Sequence, residues 1–360
     1  MFKLANKIGK KATRKWVQIV VPVAILAAFI AFSDVAQIGS ALLAIPTGIL
    51  LGALAVATID RIMMGFKWRQ LIIATGARFG ILAALRIQYQ TNVCGRIIPI
   101  PLAADLYRAY LANRVRVPWS IAVSSIVLEK VLAMLVAMCL ALTGLFVLAG
   151  EWPAEVEWWI LFAAVGAGLM AGVSVLTLLL FAPAHKWIER LIRKISRWEK
   201  VSDQLDEIYR KMSTAMLYYR ERHWALAVHG LLGVGEFGLQ LVKLVILAYG
   251  VGIKVPPLML SAILSVVLVV RRVAALLESW SVGEGAAVLT ATLVGIDLEL
   301  AVALFVANFA VSTVAILPGI VFYWTHAEDH LPEIHPEDRR DDGNSEKPSP
   351  LFSEEMGLSR

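Results

Sequence analysis

The feature that most constrains this chain is a succession of long apolar runs between residues 16 and 325, with a few charges lying deep inside them. Runs of roughly 20 apolar residues match the hydrocarbon thickness at helical rise, and hydrocarbon admits backbone only as closed helices or barrels. Charged residues make up 17% of the sequence, well below the roughly 25% of soluble domains. The chain therefore reads as an all-α polytopic membrane protein. A charge at membrane depth is costly unless it faces protein or a wet interior, so such charges are where function is sought. They are Asp105, Arg108, Glu129, Glu236, Lys243, Arg271, Arg272, Glu278 and Glu284.

The net charge of +6 does not point to nucleic acid, because the basic residues flank apolar runs. That placement suits membrane orientation and anionic headgroups. Cys94 and Cys139 offer neither a disulfide framework nor metal-ligand spacing. His326, His330 and His335 are too loosely set for a metal, and no cofactor motif is visible.

Residues 1–15 are a basic N-terminus, cytoplasmic by the K/R rule. The membrane region follows at 16–325, in halves of about 16–149 and 158–325. Spans are expected at about 16–33, 41–59, 118–149, 158–182, 224–250 and 301–325. Asp60, Arg61, Lys67 and Arg69 are read as the cytoplasmic end of the second span. The segment 185–222 carries an apolar face of tryptophan, isoleucine and leucine ringed by arginine and lysine, the pattern of an interfacial helix on anionic lipid. The tail 326–360 is acidic and rich in polar residues, and is expected to be disordered and cytoplasmic. The expected location is the inner membrane.

Two segments do not read as simple spans. Residues 71–114 and 256–296 are apolar but broken by proline, glycine and charge. Each is long enough for two short helices that enter and leave on one side, a re-entrant hairpin. Irregular backbone at that depth needs protein or water around it, which implies a cavity. Each half then reads span, span, hairpin, span, one starting inside and the other outside. That is an inverted repeat, which places a site near the midplane. Ala122 precedes Glu129 as Ala301 precedes Asn308, a local match between the halves.

The run GRIIPIPLAADLYRAYLANRVRVPWSIAVSSIVLEKVLAM resembles the signature of the lysylphosphatidylglycerol synthase membrane region, the flippase-like domain family. Pro99, Asp105, Arg108, Glu129 and Lys130 occupy the matching places, and KWRQLI resembles the family's Trp-Arg element. WSVGEGAAV, with Trp280, Val282, Glu284, Gly285 and Ala286, resembles its second signature, a Ser/Gly-rich turn. Gly283 stands where that signature carries arginine, and Arg271 and Arg272 lie upstream. The resemblance covers about 16–325. It implies a role in moving lipids or lipid-linked molecules between leaflets, and does not imply the aminoacyl transfer of the full-length synthases.

The residues themselves supply candidate roles. Asp105 and Arg108 share a helix face, either as a self-neutralising pair or with Arg108 on a lipid phosphate and Asp105 orienting it. Arginine suits phosphate because its planar fork donates two hydrogen bonds. Glu129 falls roughly 16 Å into its span, as a partner of Arg108 or Lys130 or as a working group. His229, Glu236, Gln240 and Lys243 follow helical spacing on one face. They form either a hydrogen-bonded seam or a groove wall, with Glu236 a candidate proton carrier and His229 a packing residue. Arg271 and Arg272 are candidate cations, and Glu284, between Gly283 and Gly285, is the most specific acid.

No nucleophile–base set, phosphate loop, redox motif or zinc motif appears, so the expectation is a translocator rather than an enzyme. The expected partners are membrane lipids with anionic headgroups, and enzymes of envelope-lipid synthesis. The alternative is a non-transporting scaffold whose charges are statically paired.

Overall fold

The computed structural model of the chain describes residues 34–97, 101–149, 158–180, 216, 218–276 and 280–325, leaving out the side chains of 101–102, 158 and 273–284. The expected first span, nearly all of the amphipathic segment and the tail lie outside these residues. Among the described residues all regular structure is helical. The helices are α1 (Val35–Leu43), α2 (Thr47–Ala74), α3 (Ile81–Ile97), α4 (Pro101–Arg114), α5 (Trp119–Leu148), α6 (Trp158–Leu180), α7 (His223–Val251), α8 (Pro257–Leu276), α9 (Trp280–Leu293), α10 (Leu298–Val314) and α11 (Pro318–Thr325).

The boundaries follow local chemistry. Asp34 caps α1, its Oδ1 accepting from the N–H groups of Ala36 and Gln37 at 2.9 and 3.2 Å. Pro46 and Pro118 precede α2 and α5, and Pro257 opens α8, where the missing N–H costs nothing. Gly252 closes α7 at φ 91°, a conformation that side chains with a Cβ avoid.

Among the described residues five segments are long and apolar enough to cross a membrane: Thr47–Ala74, Trp119–Leu148, Trp159–Leu180, His223–Val251 and Leu298–Thr325. Helices of this length and number are those of a multi-pass membrane protein. The last comprises α10 and α11, so the expected continuous span 301–325 is interrupted by a turn before Pro318, whose ring cannot donate to the ladder. Helix α6 packs on α5 and keeps its outer surface exposed, as lipid contact requires.

The second span departs from expectation. Helix α2 does not stop near Asp60 but runs to Ala74. Asp60 and Lys67 are 2% and 3% exposed, so they are interior groups rather than markers of a cytoplasmic end. Proximity to basic residues drew the boundary too early. The interior partner on α7 that stabilises Lys67 is invisible to a local window.

The two broken segments each form a pair of helices that pack on one another, α3 with α4 and α8 with α9. In both halves a long helix is followed by this pair, then by a helix that returns to the first: α5 packs on α2, and α10 on α7. The halves meet chiefly through α2 against α7 and α5 against α8. Helices α2 and α7 run antiparallel, since a Cβ on Gly250 would meet Ile49 while one on Gly235 would meet Met63. Small residues allow this approach: Ala53 and Ala57 are fully buried, and Gly144 of α5 sits against Ala262 and Ser265 of α8.

Candidate functional site

Among the described residues there are four ion pairs; Arg61 meets its neighbour Asp60 at 2.7 Å within α2, and the other three join different helices. On α2 Lys67 pairs with Glu236 of α7, both nearly buried, and Gln240 donates to the other Glu236 oxygen at 3.3 Å. Arg108 of α4 donates through Nη1 to Glu129 Oε2 of α5 at 2.7 Å. Lys130 meets Asp105 at 2.9 Å. Helix α4 is thus tied to α5 by two crossed pairs. The expected Asp105–Arg108 pair within α4 does not form, because Lys130 and Glu129, adjacent on α5, each face a different member. Each of Asp105, Glu129 and Glu236 therefore sits beside a lysine or arginine.

Arg108 is set further by Trp68. Its guanidinium carbon lies 4.0 Å from the indole centroid, and the indole N–H donates to Ser125 Oγ at 3.1 Å. Phe79 meets the Trp68 side chain edge-on at 5.2 Å. The indole and Glu129 together position the guanidinium. Arg108 Nε and Nη2 have no hydrogen-bond partner among the described residues, so donors remain beyond the pair with Glu129.

The groups converge on a cavity of about 660 Å³, within the roughly 300–1,000 Å³ range of small-molecule sites. Asp105, Arg108, Glu129, Lys130, Glu236 and Arg272 all line it, with Lys67 and Arg61. One wall went unpredicted. Gln88, Thr91, Asn92, Gly95 and Arg96 face the cavity from α3. Their spacing follows one helical face, a signal that was present in the sequence.

A second cavity of about 280 Å³ is lined by Gln240, Lys243, Arg271, Arg272 and Asn308, together with Arg61 and Arg96. Among the described residues its lining holds five cations and no acid. Lys243 donates to Ser312 Oγ at 2.9 Å, and Arg96 lies 4.5 Å over the Phe309 ring. Across both cavities, among the described residues, eight lining side chains are cationic and three acidic. An interior of this kind attracts anions strongly, because low-dielectric walls focus the field.

His229, expected as a packing residue, is buried on α7 against the Lys67 backbone, and neither ring nitrogen makes a close hydrogen bond among the described residues. It lines a void of about 20 Å³ with Lys67, Glu236, Gln240 and Arg272, room for about one water. The stripe of His229, Glu236, Gln240 and Lys243 does share one interior face of α7.

Gly283, Glu284 and Gly285 are helical, within the first turns of α9. The expected glycine turn is therefore not at this signature, which lies within the helix from Trp280 onward. The Glu284 side chain and all of Glu278 and Pro99 lie outside the described residues. No group of histidine, cysteine, aspartate and glutamate suited to a metal occurs among the described residues.

The family model for the lysylphosphatidylglycerol synthase TM region matches residues 19–319. No curated protein and no solved structure matches the chain.

Proposed function

We propose that this chain, which belongs to the lysylphosphatidylglycerol synthase TM region family as a multi-pass membrane protein, moves an anionic lipid headgroup between leaflets. The observation that carries the reading is the large interior cavity with its excess of cationic side chains. A headgroup phosphate entering it meets Arg108, positioned by Trp68 and Glu129 and with donors to spare. The acyl tails stay in the bilayer, so only the polar group needs the protein's interior. The action is binding and passage, without covalent chemistry on the lipid. Its place is the inner membrane with both termini cytoplasmic, and enzymes that make envelope lipids are its natural partners.

The three ion pairs between helices also fit a static scaffold. The cavity favours translocation, because a scaffold gains nothing from a solvent-sized space lined by cations of which Lys67, Arg108 and Lys243 are buried and costly to desolvate. Mass spectrometry of lipids retained by the gently purified protein tests this. One anionic class enriched over the host membrane, and lost in Arg108→Ala, is the expected result. Retained lipid of bulk composition in both samples would count against it.

A further inference from the structure

The two halves match at the positions where a membrane protein can least tolerate coincidence. Asp60 and Lys67 of α2 have the same spacing as Glu236 and Lys243 of α7. Arg96 follows Lys67 at the distance at which Arg272 follows Lys243. The hairpins then differ by a short extension, with 17 residues in α3 and 20 in α8. The register holds again afterwards. Helices α4 and α9 both have 14 residues. Asp105 and Glu129 have the spacing of Glu284 and Asn308.

Backbone details agree with this register. After α4 the chain passes through a left-handed residue, Arg116 at φ 66°, and after α9 through Gly295 at φ 85°. The next residues, Val117 and Ile296, are buried and donate to Ala112 O and Ala291 O at 3.1 and 3.2 Å. Pro118 and Asp297 then cap α5 and α10 with nearly the same dihedrals, φ −52° and −54°, ψ 138° in both. Apolar helices resemble each other by chance. Rare interior charges and a matched left-handed connection do not share that excuse.

The equivalent helices α2 and α7 are antiparallel. Lys67 pairs with Glu236 across the interface. At the equivalent positions Asp60 pairs with its neighbour Arg61 at 2.7 Å and Lys243 donates to Ser312, so one of the two equivalent sets closes across the interface as an ion pair. Equivalent spans running in opposite directions are the mark of an inverted repeat.

Arg96 and Arg272 hold the same position in the two copies, and both line both cavities. They therefore sit where the larger chamber adjoins the smaller. We infer that residues 47–129 and 223–308 are two inverted copies of one unit, and that Arg96 and Arg272 together form a central clamp for the phosphate of an anionic lipid headgroup. The clamp rests on the translocation reading for its ligand and extends it by naming the point of transfer between chambers. Two guanidinium forks offer a phosphate more than one bidentate contact. Lys67 and Lys243 stand on the two sides, each toward its own chamber. The Arg96 guanidinium carbon lies 4.5 Å over the Phe309 ring.

The test is equilibrium binding of labelled short-chain phosphatidylglycerol to the detergent-solubilised full chain, with short-chain phosphatidylcholine and inorganic phosphate as competitors. Arg96→Gln and Arg272→Gln are each expected to weaken phosphatidylglycerol binding by about tenfold or more, to similar extents. The lysine variants should fall between, since lysine keeps charge but loses the fork. They carry the test if a glutamine variant melts early. Loss in one variant with the other unchanged would overturn the symmetric clamp. So would phosphatidylcholine competing equally well, or inorganic phosphate binding where phosphatidylglycerol does not. Vesicle translocation with the same proteins separates this from the function itself. Transport retained by both glutamine variants would refute the clamp and leave the translocator standing. Clamp-dependent binding with no transport by the wild type would do the reverse.

Discussion

Lys67 and Glu236 give the sharpest energetic prediction. Their side chains are 3% and 10% exposed, so removing one partner strands a charge away from water. Breaking a buried pair in this way costs about 3–5 kcal/mol, whereas replacing both partners by apolar residues of similar volume is near neutral. Lys67→Met is therefore expected to destabilise by roughly that amount. Glu236→Leu strands the ammonium instead and also removes Gln240's acceptor, so its loss should be at least as large. The double variant Lys67→Met with Glu236→Leu should recover most of the loss, giving a coupling of about 3 kcal/mol. Reversible unfolding of the four proteins in mixed micelles measures the cycle. Additive losses, with no coupling beyond about 0.5 kcal/mol, would refute the claim that this pair closes α2 onto α7.

Other outcomes follow from the same geometry. Arg108→Ala leaves Glu129 buried without the guanidinium that donates to it, so stability should fall by about 3 kcal/mol in an unfolding titration and lipid binding should be lost with it. Lys130→Ala removes a pair whose lysine is 57% exposed, so unfolding should shift by less than about 1 kcal/mol; a larger shift would mean the pair is structural. Gly144→Ala places a Cβ against Ser265 and the Ala262 backbone, and overpacking there should cost about 1–3 kcal/mol, seen as earlier melting. Trp68→Phe keeps an aromatic face under Arg108 but loses the hydrogen bond to Ser125, a cost of about 1 kcal/mol by the same melt.

The sequence revealed the class and most helix positions, because hydrocarbon demands long apolar helices and proline marks their starts. It also pointed to the broken hairpins, since 71–114 and 256–296 carry proline and charge that a plain span cannot hold. Pairings were less legible. Whether Arg108 meets Asp105 or Glu129 depends on how α4 lies on α5, and periodicity along one helix does not encode that. Lys67 was misplaced for a related reason: a lysine near arginine looks like the end of a span until Glu236 faces it from α7. The polar face of α3 was fully written in the spacing of Gln88, Thr91, Asn92 and Arg96. Neutral amides and hydroxyls cost far less at membrane depth than charges, so their spacing alone does not distinguish a cavity wall from a hydrogen-bonded seam. The match of Asp60 and Lys67 with Glu236 and Lys243 was equally visible, but only to a reader who already counted α2 as one uninterrupted span.

The central claim is that the cationic interior carries anionic headgroups across the membrane. The most direct measurement uses vesicles containing the full chain and phosphatidylglycerol labelled on its tail, symmetrically distributed, with dithionite added outside. Parallel vesicles carry labelled phosphatidylcholine. If the account holds, the inner-leaflet phosphatidylglycerol becomes bleachable at a rate that depends on the protein and falls in Arg108→Ala, while phosphatidylcholine bleaches as in empty vesicles. Protection of inner-leaflet phosphatidylglycerol by intact, folded wild-type protein, or equal rates for both lipids, would contradict it.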